Sequence, residues 1–274
     1  MLRRAFHAMG TEVGLLLDAE PSAESELAFA HAEREFERLE AMLSRFRSDS
    51  QLSALNRSGV LDAGPDLAAV TRLAVEARER TGGLFDPTVH DALVAAGYDR
   101  TFDEVLREGH AQPAKACRGQ VWIKGSRIEL EPGFRLDLGG IAKGYAVDRA
   151  LAQLSPAGPC LVNAGGDLAG RGRLWPVGVE TADGELTLGL ENGALATSGR
   201  DRRRWQRGGH ELHHLIDPAT GTSAEGEFLR VTVLAPTAVD AEVLAKAAFL
   251  GAPVETPAVF VTTDGRTLLK GGIG

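Results

Sequence analysis

Residues 137–148 read Asp137-Leu138-Gly139-Gly140-Ile141-Ala142-Lys143-Gly144-Tyr145-Ala146-Val147-Asp148. The pattern predicts a strand that runs into paired glycines and then a helix. Such a corner leaves backbone N–H groups unpaired at the positive end of a helix dipole, which is a site for an anion. Lys143, one turn in, adds a cation suited to phosphate. A plain glycine turn with Lys143 in solvent accounts for the same residues equally well. The stretch is neither GxGxxG nor GxxxxGK[ST], so the Rossmann and P-loop readings fail on spacing.

Three further stretches carry chemistry. Asn163-Ala164-Gly165-Gly166-Asp167 sets two glycines between an amide and a carboxylate, as suits a tight turn beside a ligand or an ordinary β-turn. Gly82-Gly83-Leu84-Phe85-Asp86-Pro87-Thr88 ends a helix and puts an aromatic beside a carboxylate; a helix C-cap explains its glycines but not its Phe-Asp-Pro-Thr. His213 and His214 precede Leu215-Ile216-Asp217-Pro218-Ala219-Thr220-Gly221. An imidazole titrates near neutrality and suits a general base. On a strand the two rings face opposite ways, so one of them at most points into a given site. A surface strand ending in an Asp-Pro turn is the plainer alternative.

The elements that must position these residues follow from periodicity. A strand is expected over 11–18, and a helix over about 22–44, where Phe29, Ala32, Phe36, Leu39 and Leu43 recur at three- and four-residue steps. Pro65-Asp66 opens a second helix that stops at Gly82-Gly83, and a third begins near Ile141. Strands are expected over 121–124, 127–130, 175–179, 186–190 and 212–216. Thr237-x-x-Asp240 resembles a capping box and starts a fourth helix, and the chain closes on a hairpin around Asp264-Gly265. Few long helices among many short, hairpin-linked strands predict an α+β class with mixed, mainly antiparallel sheets and packed helices.

Composition sets the outer limits. The chain has 274 residues, 43% hydrophobic and 25% charged, with a formal net charge of −8. That length suits one domain, or two closely packed subdomains. Its 33 glycines exceed the usual level of about 7%, consistent with many turns and close approaches of backbone to ligand. The acidic balance gives no global footprint for nucleic acid. The one basic run, Arg200, Arg202, Arg203, Arg204 and Arg207, reads as a solvated loop or an anion contact. Cys117 and Cys160 lack zinc or disulfide-framework spacing and are expected as small buried residues. No apolar run of about 18 residues predicts a membrane span. No apolar stretch follows Arg3 and Arg4, so a secretory signal is not expected and the cytoplasm is the expected compartment.

Taken in order, these segments resemble the FAD:protein FMN transferases, the ApbE-type flavin transferase family. The matching stretches are Met9-Gly10-Thr11, Ser44-Arg45-Phe46 through Leu55-Asn56, Gly83 to Thr88, Asp137 to Asp148, Asn163 to Asp167, Ala196-Thr197-Ser198-Gly199 and His214 to Gly221. The resemblance implies an ApbE-like, T-fold-related architecture. It also implies a reaction in which the FMN half of FAD passes to a Thr or Ser hydroxyl of an acceptor flavoprotein, AMP leaves, and Mg2+ holds the diphosphate. By similarity, Met9, Phe46, Leu84, Phe85, Asp86, Asp137 and Lys143 contact FAD, and His214 accepts the hydroxyl proton.

The metal would take the carbonyl of Gly140 and two side chains of the fourth helix. Family members carry Ala-Asp and then Thr there; this chain has Ala241-Glu242 and Lys246. Glu keeps an oxygen donor on a longer stem, but an ammonium has no lone pair for a cation. Glu242 and Lys246 also stand at i, i+4, where an intrahelical ion pair is the simpler expectation. The same resemblance leaves two alternatives, an FAD pyrophosphatase giving FMN and AMP, and a flavin-binding protein without turnover. Many relatives are exported and anchored, whereas this chain starts at its Met-Gly-Thr strand, so an acceptor in or facing the cytoplasm is expected.

Overall fold

Residues 1–105 and 117–271 are described by a computed structural model of the chain. Strands β1 (Leu2–Ala8) and β2 (Thr11–Leu17) form a hairpin, followed by α1 (Ala23–Leu43), α2 (Gln51–Ser58), β3 (Val60–Asp62), α3 (Pro65–Arg80) and α4 (His90–Ala95). Next come β4 (Val121–Lys124), β5 (Arg127–Leu130), α5 (Ala142–Leu154), β6 (Cys160–Ala164) and β7 (Asp167–Arg171). Strands β8 (Trp175–Thr181), β9 (Gly184–Leu190), β10 (Gly193–Gly199), β11 (Arg204–Arg207) and β12 (His210–His213) follow. The chain ends with β13 (Ile216–Asp217), β14 (Thr222–Ser223), β15 (Phe228–Ala235), α6 (Ala238–Phe249), β16 (Ala258–Thr262) and β17 (Thr267–Lys270).

The main sheet has the order β1-β2-β6-β7-β10-β15-β16-β17, and each of its pairings is antiparallel. This is the expected α+β class. Successive side chains of a strand face opposite ways, and both faces of this sheet are covered. Val162, Ala194, Ala196, Val231 and Val233 join the core beneath α1, α5 and α6. Their neighbours Leu161, Leu195 and Leu234 pack instead with Trp175, Val177 and Leu188 of the β8–β9 hairpin. A third apolar cluster gathers Leu93, Tyr98, Trp205 and Ile216 around α4.

Most expected elements form where their periodicity places them. Helix α1 is opened by a reciprocal Ser22–Ser25 capping box, and Phe29, Phe36 and Leu39 form its buried stripe. Strands β4 and β5 take the expected bounds, and both cysteines are buried and free. Helices α2 and α4 were not anticipated; at eight and six residues they are too short for an apolar stripe to repeat.

Two expectations need correction. No strand leads into Gly139-Gly140: residues 134–138 are irregular backbone. The side chain of Asn56 takes the place of a neighbouring strand, donating to the Leu136 carbonyl and accepting from the Leu136 N–H, both at 2.8 Å. Nor is 212–216 one strand, since β12 ends at His213 and β13 starts at Ile216.

Helices α5 and α6 cap each other. Asp148 of α5 accepts from the N–H groups of Ala238 and Val239 at 2.9 and 3.1 Å, beside the Thr237 cap of α6. Glu242 of α6 accepts from the Gly144 N–H of α5 at 2.9 Å. The helices come so close that a Cβ on Gly144 would lie 2.6 Å from the Ala238 carbonyl oxygen. Asp148→Ala removes the acceptor for two N–H groups and should lower stability by about 1–2 kcal/mol, read from denaturant unfolding. Asn56→Ala should cost about 1–3 kcal/mol by stranding the Leu136 amide and carbonyl, whereas Glu225→Ala on the surface should change stability by no more than about 0.5 kcal/mol.

Candidate functional site

A cavity of about 590 Å³ opens between the β1–β2 turn, the chain after α1, the chain after α3, the corner before α5 and the chain after β12. Met9 and Gly10 form the two-residue β1–β2 turn, with Ala8 paired to Thr11 and positive φ at both turn residues, 52° and 67°. Such a turn matches the twist of a hairpin. A non-glycine residue in the left-handed region is strained, and here Met9 forms part of the cavity wall. Phe46, Leu84 and Phe85 add apolar wall, with Tyr98 and Leu250 beyond them.

The corner is tied down from below. The Arg45 side chain and Asp137 form a buried ion pair at 2.5 Å, with only 6% and 8% of the two side chains exposed. Arg45 also donates to the Tyr98 carbonyl at 2.7 Å and lies over the rings of Phe46 and Tyr98. The other oxygen of Asp137 accepts from the Gly139 N–H at 2.7 Å, so this carboxylate shapes the glycine turn. Asp86 accepts twice from Thr88 through Oδ1, at 2.7 and 2.6 Å. Its Oδ2 is buried without a partner.

Lys143, Asp167, Glu242 and Lys246 form one buried polar cluster. The Lys143 ammonium pairs with Asp167 and donates to Glu242 Oε1 at 2.9 Å. Lys246 donates to the same Oε1 at 3.1 Å, which is the expected i, i+4 pair. Burial opposes charge on Lys143, but the carboxylates of Asp167 and Glu242 hold its pKa above the ordinary lysine value. Burial also opposes charge on Glu242, yet Lys143, Lys246 and the Gly144 N–H bring its pKa down to about 2. Asp167 is shifted upward, chiefly by burial, with Glu242 adding to the effect and Lys143 opposing it.

A second cavity of about 700 Å³ lies beside the first, and Gly10, Gly139, Lys143, Arg203, His214 and Lys246 line both. His213 and His214 have different surroundings, and His214 lies just past the end of β12. His213 is buried, its Nε2 2.9 Å from the Ala224 carbonyl and its ring edge-on to Phe249. His214 stands at the junction of the cavities with its Nδ1 buried and unpartnered. Burial, then the charges of Arg203 and Lys246, push its pKa well below the ordinary value of 6.5, so the ring is neutral at pH 7.

Of the residues that the resemblance implicates, Met9, Phe46, Leu84, Phe85, Asp86, Asp137, Gly140, Lys143, His214 and Lys246 all line the first cavity. Glu242 does not: it is 1% exposed. The role of Arg45 escaped the sequence reading, whereas Arg203 was read only as part of the basic run. Arg45 stood inside a quoted motif, but nothing in its spacing revealed a buried partner 92 positions away at Asp137. The basic run disperses, with Arg202 paired to Glu180 and Arg204 to Glu211, while Arg203 faces the cavities.

The donor set does not fit a divalent cation. Glu242 already accepts three hydrogen bonds, through Oε1 from two ammoniums and through Oε2 from Gly144, out of about four acceptor sites on a carboxylate. Lys246 offers no lone pair, and among the described residues no group of three His, Cys, Asp or Glu side chains is placed to hold a metal. The α5 N-terminus, expected to be open to a ligand, likewise gives its Gly144 N–H to Glu242.

The ApbE family model matches residues 9–267. Curated relatives named FAD:protein FMN transferase include one from Haemophilus influenzae, 28% identical over 88% of this chain and 78% of its own. Another, from Treponema pallidum, is 29% identical over 84% of this chain and 73% of its own. Among solved structures, the ApbE protein of Thermotoga maritima superposes with a TM-score of 0.86 at 24% identity, covering 98% of this chain and 96% of that one. The Pseudomonas stutzeri flavinyl transferase ApbE gives 0.83 at 23% identity, over 98% and 95%. With the family model matching nearly end to end, the chain belongs to the ApbE family.

Proposed function

We propose that this chain is an FAD:protein FMN transferase that passes the FMN half of FAD to a Thr or Ser hydroxyl of an acceptor protein and releases AMP. The observation that carries the reading is the position of His214, a neutral imidazole at the junction of two cavities. The names of the relatives support the choice of reaction. In this reading FAD occupies the first cavity, its flat ring against Met9, Phe46, Leu84 and Phe85 and its diphosphate at the Gly139-Gly140 corner. The acceptor hydroxyl arrives through the second cavity.

The hydroxyl oxygen attacks the phosphorus of the FMN half while its proton passes to the His214 ring. The bond from that phosphorus to the oxygen of the AMP phosphate breaks, and AMP leaves. Phosphoryl transfer depends mainly on positioning and on positive charge around the transferred group. Lys143, Lys246 and Arg203 line the junction and supply that charge. Mg2+, which the resemblance adds at the diphosphate, would supply positive charge to the same group, but the donors present do not fit it.

Incubation with FAD and a hydroxyl-bearing acceptor should add the mass of FMN to the acceptor and release AMP in equal amount. AMP release without acceptor modification would replace transfer by hydrolysis. FAD retained unchanged would leave a binding protein. His214→Ala should slow transfer by about 10²–10⁴-fold while FAD still binds. The base is the unprotonated ring, and its pKa lies below 6.5, so the rate should hold level as the pH falls through 6.5 and decline only below it.

A further inference from the structure

Taking a diphosphate at the Gly139-Gly140 corner as the preceding reading has it, we propose that the Lys246 ammonium is the built-in cation for that diphosphate, so that this chain binds FAD without a divalent metal ion. The position is well defined. Lys246 reaches from α6 to the corner, where a Cβ added to Gly140 would meet its Cε at 3.0 Å and its Cδ at 3.2 Å. Its ammonium is anchored on Glu242 at 3.1 Å and its side chain is 17% exposed, open to both cavities. An ammonium has three protons. One is engaged by Glu242, and the others are available to phosphate oxygens.

The surroundings favour an ammonium over a metal ion. A divalent ion binding at Glu242 would compete with Lys143 and Lys246 for Oε1 and with Gly144 for Oε2. It would also stand beside two like charges in a site where screening by water is weak. Lys143 and Lys246 together balance the charges of Asp167 and Glu242, so the cluster needs no further cation to be stable when buried. Lys246 thereby joins two roles: it neutralises Glu242 and presents positive charge to the ligand.

The test is FAD binding, followed by titration calorimetry on the full chain in EDTA and again with millimolar Mg2+. The wild-type chain should bind FAD in EDTA, with affinity changed less than about two-fold by Mg2+. Lys246→Thr should bind FAD about ten-fold or more weakly in EDTA, the size of effect expected for losing a hydrogen bond to a charged group, and should recover with Mg2+. Lys246→Met, which keeps the stem without the charge, should show the same loss in EDTA. Paramagnetic resonance of Mn2+ should detect no bound ion in the wild type and one in Lys246→Thr. Circular dichroism checks that both variants fold, as expected where Lys143 and Gly144 still hold Glu242. Wild-type binding that appears only with Mg2+, or a wild-type Mn2+ site, would overturn the proposal while leaving the functional reading intact. Absence of FAD binding under every condition would overturn both.

Discussion

Glu242 carries a negative charge into the seam between two helices, and a charge so deeply buried persists only where donors surround it. Three do so: the N–H of Gly144 and the ammoniums of Lys143 and Lys246. The Gly144 bond fixes the start of α5 against α6. Lys143 draws Asp167, and with it the start of β7, to the same point. Lys246 brings positive charge to the rim of both cavities. One carboxylate thus ties two helices together and gathers the charged groups between them.

Around this point the chain places rigid supports under each cavity wall. Asp137 is tied to Arg45 while it shapes the glycine turn through Gly139, so the turn inherits the rigidity of a buried ion pair. Arg45 in turn sits over the Phe46 and Tyr98 rings, coupling the corner to the apolar side of the cavity. His214 follows the last residue of β12, and His213 before it is locked under Phe249. A side chain placed this way is aimed by its neighbour's packing. Preorganisation of this kind suits chemistry that relies on positioning more than on covalent participation.

The fold was legible where a single element carried its own periodicity, as in α1 with its apolar stripe and serine cap, or β4 and β5 with alternation on either side of Gly125-Ser126. It was not legible where a side chain imitates backbone. Asn56 stands in for a strand partner of Leu136, and no local pattern distinguishes that from a true strand. The site was read through family resemblance in its motifs, and all the residues so named except Glu242 line one cavity. The links between motifs stayed hidden. Arg45 with Asp137, and Lys143 with Asp167 and Glu242, join residues distant in sequence through burial, which spacing does not encode. The helix N-terminus looked open to a ligand because its own capping group lies 98 positions away.

The Met9-Gly10 turn has a consequence for how this wall of the cavity can vary. With φ at 52°, position 9 is closed to valine, isoleucine and threonine, whose branched Cβ crowds the left-handed backbone. Only unbranched side chains, or the short amides and carboxylates that tolerate such geometry, can stand there without reshaping the hairpin. The steric rules of a two-residue loop therefore restrict the repertoire of shapes at this edge before any small molecule exerts a preference.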